Sequence, residues 1–157
     1  MPDIFSPRHI AALQILFSRL ESTGVWYRAT GGLAGNIHGS AWPLQDIDID
    51  YRKEEWELIA SAFGEWLVEP PHQYHGSEFQ LVMATATIES IPVEFCQLED
   101  GFVAGPKGWV PLSADLSRRE IRSFLGRNVW AQPLNDLIAY KEIIGRKADL
   151  ADLRSLL

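Results

Sequence analysis

The sequence predicts an α+β fold, with strands flanked by helices and a helical C-terminal tail, and three observations carry that prediction. Ile10, Leu13, Leu16, Phe17 and Leu20 recur at helical spacing near the start. Asp46 to Tyr51 alternates acid with isoleucine at period two, the pattern of a strand with one buried face. Leu134, Leu137, Ile138, Lys141, Gly145 and Ala148 share one helical stripe near the end. At 157 residues and 46% hydrophobic content, residues 1–157 fit one domain with a sizeable core.

Each element has a local reason. Ser6 is an N-cap and Pro7 a first helical residue, and Gly24 stops the helix they open. Val25 to Thr30 is aromatic and β-branched, so it reads as a strand running into Gly31-Gly32, with a short helix from Leu33 to His38 after it. Ile47 and Ile49 point the next strand at the core. Residues 53–67 read as a helix carrying Trp56, Ile59, Ala60, Phe63 and Leu67, closed by Pro70-Pro71. Phe79 to Thr87 and Ile91 to Phe95 are strands joined around Glu89-Ser90. Gly101 to Pro111 is a loop or irregular hairpin. Ile121 to Leu125 and Val129 to Gln132 form a hairpin, or else a helix covers Ser117 to Leu125. Pro133 opens a helix through Ile144, Gly145 interrupts it, and Lys147 to Leu157 is a final helix.

Composition excludes several function classes. The apolar runs are far too short for a membrane span, and Met1 to Phe5 lacks a basic region followed by an apolar one, so a cytoplasmic protein with no membrane partner is expected. The single cysteine, Cys96, cannot form an intramolecular disulfide and reads as a small buried residue. A net charge of −7 argues against general nucleic-acid binding. The charge is uneven: residues 1–117 carry −10 and residues 118–157 carry +3. Two such parts facing each other suit an anion bridged to a metal cation.

The acids are the first candidate site. Residues two apart on a strand share a face, so Asp46, Asp48 and Asp50 form a row with neighbours roughly 7 Å apart at the backbone. A row of like charges calls for a cation, and oxygen ligands without histidine or thiolate suit Mg²⁺ or Mn²⁺. The alternative is a solvated acidic face on an edge strand. In Ile91-Pro92-Val93-Glu94-Phe95, Glu94 lies opposite the core face. If this strand neighbours the first, Glu94 completes a carboxylate triad.

Gly31-Gly32, with thirteen residues between Gly32 and Asp46, would let backbone N–H groups approach a phosphate, or would simply form a turn. Lys141, central on an apolar helical stripe, is either a phosphate contact or a snorkelling or acid-paired lysine.

Thr30-Gly31-Gly32, Asp46-Ile47-Asp48-Ile49, Val93-Glu94-Phe95 and the run Leu134 to Leu153 together resemble the DNA polymerase β-like nucleotidyltransferase superfamily. The resemblance is to its small stand-alone bacterial members, including those related to abortive-infection toxins. It implies a mixed β-sheet nucleotidyltransferase core flanked by helices, and a Mg²⁺-dependent transfer of a nucleoside monophosphate from an NTP to an acceptor hydroxyl. Asp46, Asp48 and Glu94 match the catalytic, metal-binding acids. Gly31, Gly32 and Lys141 match the residues that hold the NTP phosphates. Ala41-Trp42-Pro43-Leu44-Gln45 departs from the family, whose small members carry an arginine and a hydroxyl residue before the first aspartate. The acceptor is open among a small molecule, a tRNA and a protein. A second reading is a catalytically silent relative that binds a nucleotide or a protein partner, as one component of a toxin–antitoxin pair or as a homodimer.

Other features carry less. His72-x-x-His75 with Cys96 is a sparse zinc pattern. His38 reads as a structural hydrogen-bonding residue, and Gly105-Pro106-Lys107-Gly108 as a turn without Walker spacing. Trp42 and Trp109 stack on a base, line an interface or fill the core.

Overall fold

A computed structural model describes residues 5–112 and 118–157. The expectation for Met1 to Ile4 falls outside those residues, as does Ser117; the rest of the alternative helix over Ser117 to Leu125 is overturned, because Glu120–Phe124 is a strand paired antiparallel with Arg127–Ala131. Helix α1, Pro7–Thr23, begins where the sequence places it: the Ser6 side chain accepts a hydrogen bond from the His9 N–H, and Gly24 ends the helix in the left-handed region at φ 70°. Strand β1 is Tyr27–Thr30, helix α2 Gly31–Ile37 and strand β2 Ile47–Tyr51.

The span 53–67 departs from expectation. A short 3₁₀ turn, Lys53–Glu55, precedes α3, Trp56–Phe63, and Leu67 begins strand β3, Leu67–His75. The chain leaves the helix because strand β4, Phe79–Ile88, captures it: the Thr87 N–H donates to Trp66 O at 3.0 Å and Leu67 pairs with Ala86. Pro70-Pro71 therefore sits inside a strand instead of closing a helix. Among the described residues β3 pairs only with β4, and its register shifts on the stretch holding the two prolines, where a missing N–H breaks no regular ladder.

Strand β5 is Ile91–Gln97, reached through a tight turn in which Glu89 and Ser90 both take positive φ. Gly101 to Pro111 resolves into a hairpin of β6, Phe102–Gly105, and β7, Gly108–Pro111. β8, Glu120–Phe124, and β9, Arg127–Ala131, form the second hairpin, turning at Leu125-Gly126. α4, Leu134–Ile144, and α5, Lys147–Arg154, are separated by Gly145 at φ 82°.

The strands join one mixed sheet in the order β7-β6-β4-β5-β2-β1-β9-β8, with β3 on β4. β2 runs parallel to β5 and β1 parallel to β9, and the other pairs are antiparallel. α1 and α3 cover one face, where Leu13, Leu16, Ile59 and Phe63 meet Ile47, Ile49, Val93 and Phe95. A smaller cluster on the other side joins Ala34 of α2 to Leu137 and Ile138 of α4 and to Leu150 and Leu153 of α5. The tail thus packs against α2, beside the face of β2 that bears the acids. No helix among the described residues is long and apolar enough to cross a membrane.

Candidate active site

β1, β2 and β5 lie side by side, and alternation decides what they present. With Ala29, Ile47, Ile49, Val93 and Phe95 turned to the core, Thr30, Arg28, Asp48, Asp50, Glu94 and Cys96 face the other way. Register then brings them together: Thr30 pairs with Asp48 and Arg28 with Asp50, while Asp48 pairs with Glu94 and Asp50 with Cys96. Asp46 lies just before β2 and is exposed.

The three members of the aspartate row have different environments. Asp50 is buried, and its Oδ2 accepts from Arg28 Nε at 2.8 Å; Arg28 Nη1 also donates to Arg118 O at 2.7 Å. Burial raises the Asp50 pKa, opposed by the charge and hydrogen bond of Arg28. This aspartate is neutralised by protein. Asp48 has no such cation. Burial first, then a hydrogen bond with Glu94 and the charges of Glu94, Asp46 and Asp50, push its carboxyl well above the ordinary carboxylate range.

Asp48 Oδ1 is buried and has no hydrogen-bond partner. An orphaned carboxylate oxygen beside Glu94 and near Asp46 is a hard-oxygen donor set, which fits Mg²⁺ or Mn²⁺. Among the described residues, no three His, Cys, Asp or Glu side chains are gathered closely enough to hold a metal ion, neither His72, His75 and Cys96 nor Asp46, Asp48 and Glu94. Mg²⁺ ordinarily completes its shell with water and substrate phosphates.

The glycine pair adjoins this carboxylate. Gly31 has φ +59°, and a Cβ there would stand 2.6 Å from Asp48 Oδ2. Gly32 is roomier, since its nearest neighbour to a Cβ would be Leu44 Cδ1 at 3.9 Å. Thr30 Oγ1 donates to Gln132 Oε1 at 2.6 Å, and Gln132 O accepts from His38 Nε2 at 2.8 Å. His38 is therefore a structural tie between α2 and the end of β9, with the proton on Nε2 because a carbonyl only accepts.

Lys141, on α4, is buried, and its Nζ donates to Asp149 Oδ2 at 3.0 Å. The same oxygen lies 3.6 Å from Arg146 Nη1. Arg146 in turn grips Glu78 with two hydrogen bonds, one of them Nε to Oε2 at 2.8 Å. Sequence reading missed Arg146, whose only signals were its basic surroundings and its place after the helix-ending Gly145.

Two clefts meet here. The larger, about 640 Å³, is lined by Asp46, Asp48 and Glu94 and by the aromatic side chains of Tyr74, Phe79 and Tyr140. The smaller, about 260 Å³, adds Ser40, Trp42, Asp149 and Asp152. Gly31, Gly32, Gln45, Asp46, Asp48, Lys141 and Arg146 line both. Trp42 and Trp109 are both well exposed, and only Trp42 borders a cleft.

No family model matches the chain, and no curated protein matches it in sequence. Solved structures do match it in fold. A candidate nucleotidyltransferase from Thermotoga maritima superposes with a TM-score of 0.75 at 20% identity, over 96% of this chain and 93% of that one. A lincosamide antibiotic adenylyltransferase with lincomycin bound gives 0.61 at 14% identity, over 93% of this chain and 96% of that one. ANT(2″)-Ia in complex with adenylyl-2″-tobramycin gives 0.59 at 10% identity, over 94% of this chain and 86% of that one. These likenesses establish the fold: the chain has the α+β nucleotidyltransferase fold, as its sequence motifs imply.

Proposed function

We propose that the protein is an enzyme, a Mg²⁺-dependent nucleotidyltransferase that moves a nucleoside monophosphate from an NTP to an acceptor hydroxyl and releases pyrophosphate. The observation that supports this reading is the meeting of two clefts at one set of residues, Gly31, Gly32, Asp46, Asp48 and Lys141. A transfer between two substrates needs two bound molecules and one shared point of contact.

Asp46, Asp48 and Glu94 would hold the metal, which when bound neutralises phosphate charge and polarises the phosphoryl group. Gly31 and Gly32 offer backbone N–H groups to the phosphates, and Lys141 supplies a point charge for them. Metal binding at Asp48 competes with its protonation, since only the carboxylate is a ligand. Glu94, which lines the larger cleft, would accept the proton of the acceptor hydroxyl. The acceptor oxygen then bonds to the α-phosphorus as the bond from that phosphorus to the pyrophosphate oxygen breaks.

For the acceptor, the acids lining the larger cleft disfavour a polyanion such as RNA, and the aromatic walls suit a compact molecule. The lincosamide and tobramycin ligands of the fold neighbours make small hydroxylated compounds the first class to try. The test is incubation with Mg²⁺, each α-labelled NTP in turn, and a panel holding lincomycin, tobramycin, other small polyols, tRNA and protein. Label transferred by wild type but not by Asp48→Asn supports the reading. Nucleotide binding with no transfer to any acceptor favours the catalytically silent relative.

A further inference from the structure

We propose that Arg146 is a second phosphate-binding cation beside Lys141, held in place by Glu78 until a triphosphate takes Glu78's position. This rests on the nucleotide reading above and gives a role to a residue of the C-terminal run to which the resemblance assigns none.

Three observations lead to it. Arg146 and Lys141 converge on one carboxylate oxygen, Asp149 Oδ2, at 3.6 and 3.0 Å. Asp149 and Glu78 balance the two cations, so the second charge beside Lys141 depends on Glu78 for its partner. Second, Arg146 lines both clefts, with Gly31, Gly32 and Asp48, although it lies far along the chain in the tail. The two cations therefore line the same two clefts as the orphaned Asp48 carboxylate. Third, the partner is exchangeable. Glu78 sits at the β3–β4 turn, and the Arg146 and Glu78 side chains are 40% and 35% exposed. A solvent-exposed ion pair contributes little stability, so its replacement by a triphosphate is a cheap exchange.

The geometry of the present pair also matches the exchange. Arg146 presents Nε and Nη2 side by side to two carboxylate oxygens. The same fork takes two phosphate oxygens, and a polyphosphate offers more charge than the carboxylate it displaces. In the free protein, Glu78 keeps the fork oriented and Asp149 keeps it beside Lys141.

A purely structural strut between tail and hairpin predicts a different mutational pattern, and this decides the matter. Affinity for Mg²⁺ with inorganic tripolyphosphate, and with each NTP, is measured by calorimetry for wild type, Asp48→Asn, Arg146→Ala and Glu78→Ala, with melting temperature as a check on folding. Binding by wild type that is lost in Asp48→Asn upholds the underlying site. Arg146→Ala is then expected to weaken binding by about tenfold to a hundredfold, the size of a lost charged hydrogen bond. Glu78→Ala is expected to tighten it, because the competing carboxylate is gone. Equal weakening by both variants, or no change in either, would overturn the proposal while leaving the nucleotide site standing. Absence of binding in wild type would remove both together.

Discussion

Asp48 on β2 and Glu94 on β5 stand in register on adjacent parallel strands, both on the face turned away from the core. Burial and the neighbouring Glu94 raise the Asp48 pKa, so a proton and a divalent cation compete for this carboxyl.

This gives a pH-dependent stability with a definite sign. The Asp48 pKa is raised above its ordinary value of 3.8, so the folded state binds the proton more tightly than the unfolded state. The resulting stabilisation is complete below 3.8 and is lost as pH rises through the folded pKa. Asp48→Asn escapes that loss. In EDTA at pH 7 the variant is expected to melt roughly 2–4 °C above wild type, the size of a change of ~1 kcal/mol at this length. The advantage should shrink on acidification, which a thermal melt series across pH 4 to 8 checks.

The two glycines separate a folding role from a binding role. Gly31→Ala introduces a side chain at positive φ and drives it against Asp48 Oδ2, so a loss of at least about 1–2 kcal/mol is expected. Gly32→Ala meets only ordinary contact with Leu44 and should stay within about 1 kcal/mol of wild type. Its cost should show instead as weaker NTP binding. Denaturant melts together with nucleotide titration of both variants test this division.

Arg28 and Asp50 form a buried pair whose work is structural. Removing one partner strands the other charge, and Arg28→Met alone is expected to cost about 3–5 kcal/mol. The double variant Arg28→Met/Asp50→Leu should recover a large part of that loss, as removing both charges leaves none unpaired. If Asp50 were instead a required metal ligand, the folded double variant would lose Mg²⁺-dependent nucleotide binding. Retained binding is the outcome expected here.

Lys141 faces both clefts from a buried position, so its loss should be felt in binding. Lys141→Met keeps the apolar stem and removes the charge. NTP affinity is expected to fall by about tenfold or more, the loss of one charged hydrogen bond. An affinity equal to wild type would mean that the lysine serves only Asp149.

Much of this was readable from the chain because its strongest signals are local. The Ser6 and Gly24 caps bound α1, and the alternation at Ile47 and Ile49 fixes which way Asp48 and Asp50 point. The pairing of Asp48 with Glu94 followed from one assumption, that the two strands are neighbours, which the sheet order bears out. What local pattern could not supply were tertiary choices. Leu67 and the following prolines belong to an edge strand because β4 takes up the backbone on either side of them, Leu67 pairing with Ala86 and His72 with Met83. The distinction between Asp48 and Asp50 came from Arg28, which reaches Asp50 through β1–β2 register. Arg146 stayed hidden because its partner, Glu78, is a turn residue with no periodicity.

The most direct test is calorimetric titration of ATP, GTP, CTP and UTP with Mg²⁺ into wild type and Asp48→Asn, each repeated in EDTA. The account predicts metal-dependent binding of at least one nucleotide by wild type, abolished by EDTA and by Asp48→Asn in a variant that remains folded. Nucleotide binding that persists unchanged in Asp48→Asn, or no binding at all by folded wild type, would contradict it.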